Sequence, residues 1–155
     1  MVQLPKLRAA ELVTITDSIP LKEIENTKDV RQLGELSKVL RVAAGEAVVE
    51  LENIQKMQNE LVNRFKKEFE EATSTITEEE DKKKVQEELT AKMNNEFNNT
   101  MQPLISNLEE QFKEKVDVEL SNELLEKLKW VFDKYGIKSY TNRAAFLEVA
   151  DALGV

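Results

Sequence analysis

The chain contains neither cysteine nor histidine, and each absence removes a class of function. Without cysteine the fold has no disulfide bond and no thiolate metal site, which is consistent with a cytoplasmic setting. Without histidine or cysteine, the commonest general base and the strongest nucleophile at neutral pH are both missing. The abundant carboxylates alternate with lysines on predicted helix faces, and no acidic pair lies in an apolar neighbourhood. We therefore expect no enzymatic activity.

Glycine is also scarce, and the four glycines are too far apart to form a phosphate-binding loop. No spacing of acidic residues matches a calcium-binding loop, so we expect neither a metal nor a cofactor. Long apolar runs are absent too, because none approaches the roughly 20 residues that cross a bilayer. The first twenty residues carry charges throughout and lack the apolar core of a signal peptide. The sequence thus predicts a soluble protein that has no membrane partner.

Charged residues of both signs are plentiful, with 22 basic and 30 acidic residues among 155 and a net charge of −8. Apolar residues make up 41% of the chain and charged residues 34%, a balance typical of helical proteins with a charged surface. The negative net charge argues against direct binding to nucleic acid. The length suits one domain with its own core. We predict a single, mainly α domain, 1–155, with three parts: 1–29, 30–115 and 116–155.

Residues 30–115 carry the strongest pattern, which is two long apolar stripes at helical spacing. The first stripe comprises Leu33, Leu36, Leu40, Ala43, Ala47, Leu51, Ile54, Met57, Leu61, Phe65 and Phe69. The second follows a break at 73–77 and comprises Val85, Leu89, Met93, Phe97, Met101, Leu104, Leu108 and Phe112. Thr77 and Glu80 have capping-box spacing where the second helix starts, and Pro103 predicts a kink or short break. Together the stripes predict a long, coiled-coil-like antiparallel αα-hairpin.

Short elements flank this hairpin on both sides. Residues 2–4 and 116–120 alternate apolar and polar side chains, which predicts two short strands that pair as a β-ribbon. A short helix follows the first strand. After the second strand, Ser121 is a good N-cap for a helix that stops at Gly136, and a last helix ends at Gly154. The predicted link between these two helices, about six residues, is longer than that of a DNA-binding helix-turn-helix.

The stretch RVAAGEAVVEL, residues 41–51, narrows to small side chains inside the first long helix. A hinge, a tight helix crossing and a buried interface are the three interpretations of such a stretch. Because a lone glycine costs only about 1 kcal/mol in a helix and strong helix formers surround Gly45, the pattern favours a continuous helix. Val42, Gly45 and Val49 lie opposite the main stripe, on the face that Gly34 shares, and predict a second interface. We expect Gly45→Ala to be tolerated and Gly45→Leu to disturb packing or assembly.

Most aromatic residues fall within seventeen positions near the C-terminus, between Trp130 and Phe146. Trp130 and Tyr140 could anchor a protein interface, where such residues often dominate binding. The alternative is that the aromatic residues complete the core at the base of the hairpin. The predicted interface candidates are thus Gly34, Val42, Gly45, Val49, Trp130 and Tyr140.

The order of elements resembles a family of small, uncharacterised helical proteins of tailed bacteriophages. The resemblance lies in an N-terminal strand and helix (VQLPKLRAAELVTI), a long charged helix (VRQLGELSKVLRVAAGEAVVELENIQKM), a second long helix, and a late strand with a capped helix (VDVELSNELLEKLKWVF). It spans most of the chain and consists of layout and apolar pattern. It implies a viral context and a non-catalytic protein that acts in the host cytoplasm or the virion.

Two functions are compatible with these features. The first is a non-enzymatic interaction or assembly protein of a bacteriophage, which binds itself or another phage or host protein. The second is an acidic inhibitor that binds the basic surface of a host nucleic-acid-binding enzyme. Inhibition of this kind needs rows of carboxylates without cations, whereas Lys66 and Lys67 interrupt one row and residues 82–84 another. The sequence therefore favours the interaction protein.

Overall fold

The computed structural model describes residues 1–155, which form two compact units. Unit 1 comprises Met1–Leu51 and Glu110–Val155, and unit 2 comprises Glu52–Glu109. The elements in chain order are β1 (Val2–Pro5), α1 (Lys6–Asp17), a 3₁₀ turn (Leu21–Glu23), α2 (Thr27–Ala44), α3 (Glu46–Thr73), α4 (Glu79–Glu96), a π turn (Phe97–Met101), α5 (Gln102–Gln111), β2 (Lys115–Val118), α6 (Asn122–Val131), a second π turn (Phe132–Gly136), α7 (Ile137–Ser139) and α8 (Arg143–Leu153). The mainly α prediction is confirmed. No helix is both long and apolar enough to span a bilayer.

The predicted β-ribbon is present in unit 1. Strands β1 and β2 pair antiparallel, with Val2 opposite Val118 and Leu4 opposite Val116. The pairing continues into α1, because the Lys6 amide donates a hydrogen bond of 3.0 Å to the carbonyl of Glu114. The alternation of apolar and polar residues predicted these strands correctly because only one face of the ribbon is covered. Val2, Leu4 and Val118 are buried on that face.

Helix α1 is the centre of unit 1. Its buried residues are Leu7, Arg8, Ala9, Ala10, Leu12, Val13, Ile15 and Thr16. They cover nearly every direction around the axis, so α1 is packed on more than one side. Helix α2 packs along α1, with Asn26 capping its start by accepting a hydrogen bond from the Asp29 amide at 3.0 Å. Asp17 joins the two helices, since Ser37 Oγ donates to its Oδ1 at 2.7 Å.

The first long helix is interrupted at Gly45, so the prediction of a continuous helix there is wrong. Gly45 has φ +55° and ψ −128°, and it separates α2, which ends at Ala44, from α3, which starts at Glu46. Side chains other than glycine rarely adopt this conformation, because a Cβ atom clashes with the backbone at positive φ. Nothing lies within 4 Å of the position a Cβ would occupy. Gly45 is therefore required by its backbone conformation and not by a close neighbour.

Unit 2, Glu52–Glu109, contains an antiparallel helical hairpin that is shorter than the predicted 30–115. The first stripe is divided between α2, which packs against α1 in unit 1, and α3. Arg64 on α3 forms an ion pair with Glu96 at the end of α4, which fixes the register of the two arms. The predicted capping box is absent, because α4 has Glu78 at its N-cap position and no side chain caps its first turn. Acidic residues at the first turn of α4 instead complement the positive end of the helix dipole.

A π turn at Phe97–Met101 replaces the kink or break that Pro103 predicted. Proline has no N–H to donate, so the carbonyls one turn before it lose their regular partner. The Gln102 amide then donates to the carbonyl of Phe97, five residues back. The chain remains helical through this point because a π turn absorbs one extra residue. That residue returns Met101 to the buried side, where it is 2% exposed.

A second π turn runs through Gly136, where the sequence predicted a helix stop. Gly136 has helical angles, φ −62° and ψ −42°, so this prediction is wrong. A Cβ atom there would lie 3.1 Å from Phe132 Cδ2 and 3.5 Å from Phe146 Cε2. Gly136 is thus needed for close packing of two aromatic rings. The helix continues to Ser139, which leaves a link of only three residues before α8.

Candidate protein-interaction surfaces

Helix α4 carries an apolar stripe and buries none of it. Val85, Leu89 and Met93, together with Phe97 in the first π turn, are each half-buried. No residue of α4 is buried. We call these four side chains the α4 stripe.

The opposite arm of the hairpin loses burial at the same level. On α3, Phe65 is 4% exposed, but Phe69 one turn later is only half-buried. Residues 66–100 therefore contain no buried side chain, although they include two phenylalanines. The remaining buried residues of unit 2 lie outside this segment: Ile54, Leu61, Phe65, Met101 and Leu108.

The spacing of the α4 stripe explains why α3 covers it only in part. Its members are four residues apart, whereas an α-helix has 3.6 residues per turn, so each step rotates the stripe by about 40°. From Val85 to Phe97 the rotation amounts to about 120°. One antiparallel neighbour covers a narrow seam, and an arc of this width suits a helix with two neighbours in a bundle. The single neighbour α3 therefore leaves part of each side chain of the stripe exposed.

A cavity of about 340 Å³ lies between α3 and the π turn of unit 2. The Arg64–Glu96 ion pair lies at its edge. The hydrogen bond that Arg64 donates to Glu96 raises the pKa of the Arg64 guanidinium. The lining residues are Met57, Glu60, Leu61, Arg64, Glu96, Thr100 and Met101.

Trp130 forms a second, separate surface on unit 1. Its side chain is 36% exposed, and the amino groups of Lys127 and Lys134 lie 4.7 and 5.2 Å from the centre of its ring. Tyr135 meets it edge-on, with 5.7 Å between ring centres. Lys127 is also held by Asp29 at 3.0 Å. Cation–π attraction at an exposed site contributes about 0.5–1 kcal/mol, so the two lysines favour this position of the indole and place positive charge at its rim.

Tyr140 belongs to the core of unit 1 and does not form an exposed anchor. Its ring lies edge-on to Phe132 and Phe146, with centres 6.2 and 5.9 Å away, and those two rings stack at 4.6 Å. The hydroxyl oxygen is buried and has no hydrogen-bond partner. Burial raises the pKa of Tyr140 well above its ordinary value, and the nearby Glu11 carboxylate raises it further. The alternative interpretation, that aromatic residues complete the core, fits Tyr140.

A charged network lies beside Tyr140. Arg8 on α1 is only 7% exposed, and its Nε donates to Glu148 Oε1 on α8 at 2.9 Å. Its guanidinium also pairs with Glu11 one turn along α1. A buried cation must be paired, because removal from water costs several kcal/mol. This network therefore orients α8 on α1 and has no free group with which to react.

The four small or branched interface candidates on α2, at Gly45 and on α3 are all exposed. Val42 is 83% and Val49 58% exposed, and Gly34 and Gly45 are exposed as well. Helix α1 packs against the opposite side of α2, where Leu36 is fully buried. No element of unit 1 therefore covers the face that the sequence assigned to a second interface. An interface at these residues stays a prediction.

Two features of these surfaces escaped the sequence interpretation. The lysines around Trp130 lie three residues before and four residues after it, a spacing that places them over one helix face. The ion pairs of Arg8 have a weaker signal, which is an arginine three residues before Glu11 in a helix that is mostly buried.

No group of three or more acidic side chains converges in a way that could hold a metal ion. No protein-family model matches the chain, and neither the curated proteins nor the solved structures include a match. Evidence on function therefore comes from the surfaces themselves.

Proposed function

We propose that this chain is a non-enzymatic interaction or assembly protein that binds protein through the helical hairpin of unit 2. The observation that carries the proposal is the α4 stripe, four large apolar side chains in a row with none of them buried. A row of large apolar side chains that the chain covers only in part is a candidate site of association, because apolar patches left on a surface often mark interfaces.

Covering the rest of the α4 stripe would contribute a favourable free energy to association. Burying apolar area contributes about 25 cal/mol per Å², so covering the exposed part of a half-buried leucine or phenylalanine contributes on the order of 1 kcal/mol. Four such side chains supply a few kcal/mol. Their neighbours around the helix add further area and exclude water, as in known interfaces.

The resemblance to helical proteins of tailed bacteriophages supports a viral structural, assembly or accessory role. In that role the chain acts in the host cytoplasm or in the virion. Its partner is then a second copy, another phage protein or a host protein.

The test combines light scattering after size exclusion with affinity capture from the native host. Leu89→Lys places a charge in the middle of the α4 stripe, and Ala91→Lys places the same charge on the opposite, exposed face of the same helix. We expect the natural chain and Ala91→Lys to associate and Leu89→Lys not to associate. A monomer that captures no protein in any form would contradict the proposal.

A further inference from the structure

We infer that the partner of the α4 stripe is a second copy of this chain, and that two unit 2 hairpins pair side by side as an antiparallel four-helix bundle with Leu89 near the twofold axis. The inference rests on the proposed function and names its partner. Three properties of unit 2 lead to it: the width of the stripe, the arrangement of charge along α4 and the area available.

The width of the stripe requires two neighbours for α4, and the hairpin supplies one. A helix in a four-helix bundle has an apolar arc wide enough to face two others. A second hairpin brings two helices at once, so it would cover α4 and the neighbouring part of α3 together. A twofold dimer brings the same patch of both copies together. The α4 stripe can pair with itself in this way because it contains no charged residue that would repel its copy.

Charge along α4 determines the direction of pairing. Its first two turns are densely charged, with Glu79, Glu80 and Asp81 followed by residues 82–84, all lysine. The other end is neutral, because the polar positions after Lys92 are mostly the asparagines at 94, 95, 98 and 99. Parallel pairing would place each acidic turn against its own copy, which costs energy. Antiparallel pairing places the charged end of one copy beside the neutral end of the other.

One face of the hairpin along α4 has the dimensions of a small dimer interface. Helix α4 has 18 residues and is therefore about 27 Å long. Two helices side by side are about 20 Å wide, so one hairpin face offers about 540 Å² and two copies about 1,100 Å². Specific interfaces begin near 1,000 Å² in total. We therefore expect a dimer whose population depends on concentration.

Cysteine substitution tests this directly, because the chain has no cysteine of its own. A single introduced cysteine can form a disulfide only with another copy, and only when the two Cα atoms approach within about 7 Å. We expect Leu89→Cys to cross-link on mild oxidation and Ala91→Cys on the opposite face to remain monomeric. A mixture of Val85→Cys and Met93→Cys chains distinguishes direction, since antiparallel pairing gives the mixed cross-link and parallel pairing gives the two homodimers.

Light scattering on the natural chain provides the second measurement. The mass should rise with concentration from 17.8 kDa towards about twice that value, and Leu89→Lys should weaken the dimer by at least about tenfold. Circular dichroism on each variant confirms that α4 remains helical.

Failure of the inference differs from failure of the proposed function. A constant mass of 17.8 kDa, with equally little cross-linking at positions 89 and 91, would overturn self-pairing. If a host or phage protein is then captured by the natural chain and by Ala91→Lys but not by Leu89→Lys, the proposed function survives with a different partner. If no protein is captured, both are wrong. Homodimeric cross-links through the separate Val85→Cys and Met93→Cys chains, without the mixed product, would overturn the antiparallel arrangement.

Discussion

Helices α1 and α4 lie in different units and are stabilised in different ways. Helix α1 has 12 residues, of which the eight named above are buried, whereas α4 has 18 residues and none buried. Burial of an apolar face normally supplies most of the stability of a protein helix. Helix α1 is therefore stabilised by the elements that pack around it. In a single copy of the chain, α4 gains less stability from burial, because none of its side chains is fully covered.

Local features support α4 in part. Its residues include few β-branched side chains and no glycine, so its intrinsic helix propensity is high. The acidic first turn adds a favourable interaction with the helix dipole, typically a few tenths of a kcal/mol to about 1 kcal/mol per charge. On the proposal above, a partner would complete the α4 region of unit 2, whereas α1 is already packed within unit 1.

The largest expected effect comes from truncating one leucine in each helix. Leu12 in α1 is fully buried, so Leu12→Ala should lower the free energy of unfolding by about 2–5 kcal/mol. Leu89→Ala in α4 should cost about 1 kcal/mol or less in a dilute single copy, because its side chain is already partly in water. Urea denaturation of both variants measures the difference.

Two probes can follow that denaturation separately. The single tryptophan, Trp130, lies in unit 1, so its fluorescence reports on unit 1 alone, while circular dichroism reports on all helices. Coincident transitions would support the predicted single domain, and an earlier loss of helix would show that unit 2 unfolds first. If Leu12→Ala and Leu89→Ala lowered the free energy of unfolding equally, the contrast between α1 and α4 would be wrong.

Features that repeat along the sequence could be predicted, whereas features that depend on one residue could not. The β-ribbon and both hairpin arms were predictable because apolar residues repeat at a fixed period, so that several residues indicate each element. Gly45 and Gly136 were not, since a single glycine has no period. Gly45 seemed a tolerated helix residue and is the end of a helix, while Gly136 seemed an end and lies inside one. The surroundings of each glycine, which only the fold supplies, decide between these roles.

A local signal for the Gly45 break was nevertheless present. Arg41 lies in the last turn of α2 and Glu46 in the first turn of α3, and charges of these signs favour a helix end and a helix start. The apolar stripe masked this signal because its spacing continues across Gly45 without a shift. The α4 stripe was predicted as pattern, but its lack of burial depends on how many helices surround it, which no property of α4 itself reveals.

A smaller effect is expected at the residue that precedes α3, the helix that leads from unit 1 into unit 2. Because Gly45 has positive φ and open space around it, Gly45→Ala and Gly45→Leu should cost about the same, roughly 1–2 kcal/mol of unfolding free energy. This replaces the expectation from sequence that alanine is tolerated. Thermal unfolding of both variants measures the cost.

Gly34 provides the matched control for this experiment. It lies inside α2, is exposed, has no neighbour within 4 Å and has no positive φ. Gly34→Ala should therefore stabilise the protein by roughly 0.5–1 kcal/mol, as alanine is the better helix former. A stable Gly45→Ala variant alongside an unstable Gly45→Leu variant would show instead that space, and hence a neighbouring surface, limits position 45.

The smallest effect concerns Tyr140. Both tyrosines lie in unit 1, so the ionisation of tyrosine at high pH reports on the unfolding of unit 1 and not of unit 2. Burial raises the pKa of Tyr140 in the folded state, so above about pH 10 the unfolded chain loses a proton that the folded chain retains. Stability linked to Tyr140 is thus complete below about pH 10 and declines as the pH rises further. Tyr140→Phe should change the unfolding free energy at pH 7 by no more than about 0.5 kcal/mol, since the hydroxyl makes no hydrogen bond of good geometry.

Ultraviolet titration of tyrosinate, read together with Trp130 fluorescence, measures this dependence. In the natural chain, tyrosinate from Tyr140 should appear only as the fluorescence reports unfolding of unit 1, whereas the Tyr140→Phe variant should keep unit 1 folded to higher pH. Ionisation of Tyr140 near pH 10 in a fully folded unit 1 would mean that its hydroxyl reaches water. The packing of α8 against α1 would then be looser than that of a closed core, and the contrast between a self-sufficient unit 1 and an incomplete unit 2 would be weaker than the burial of α1 indicates.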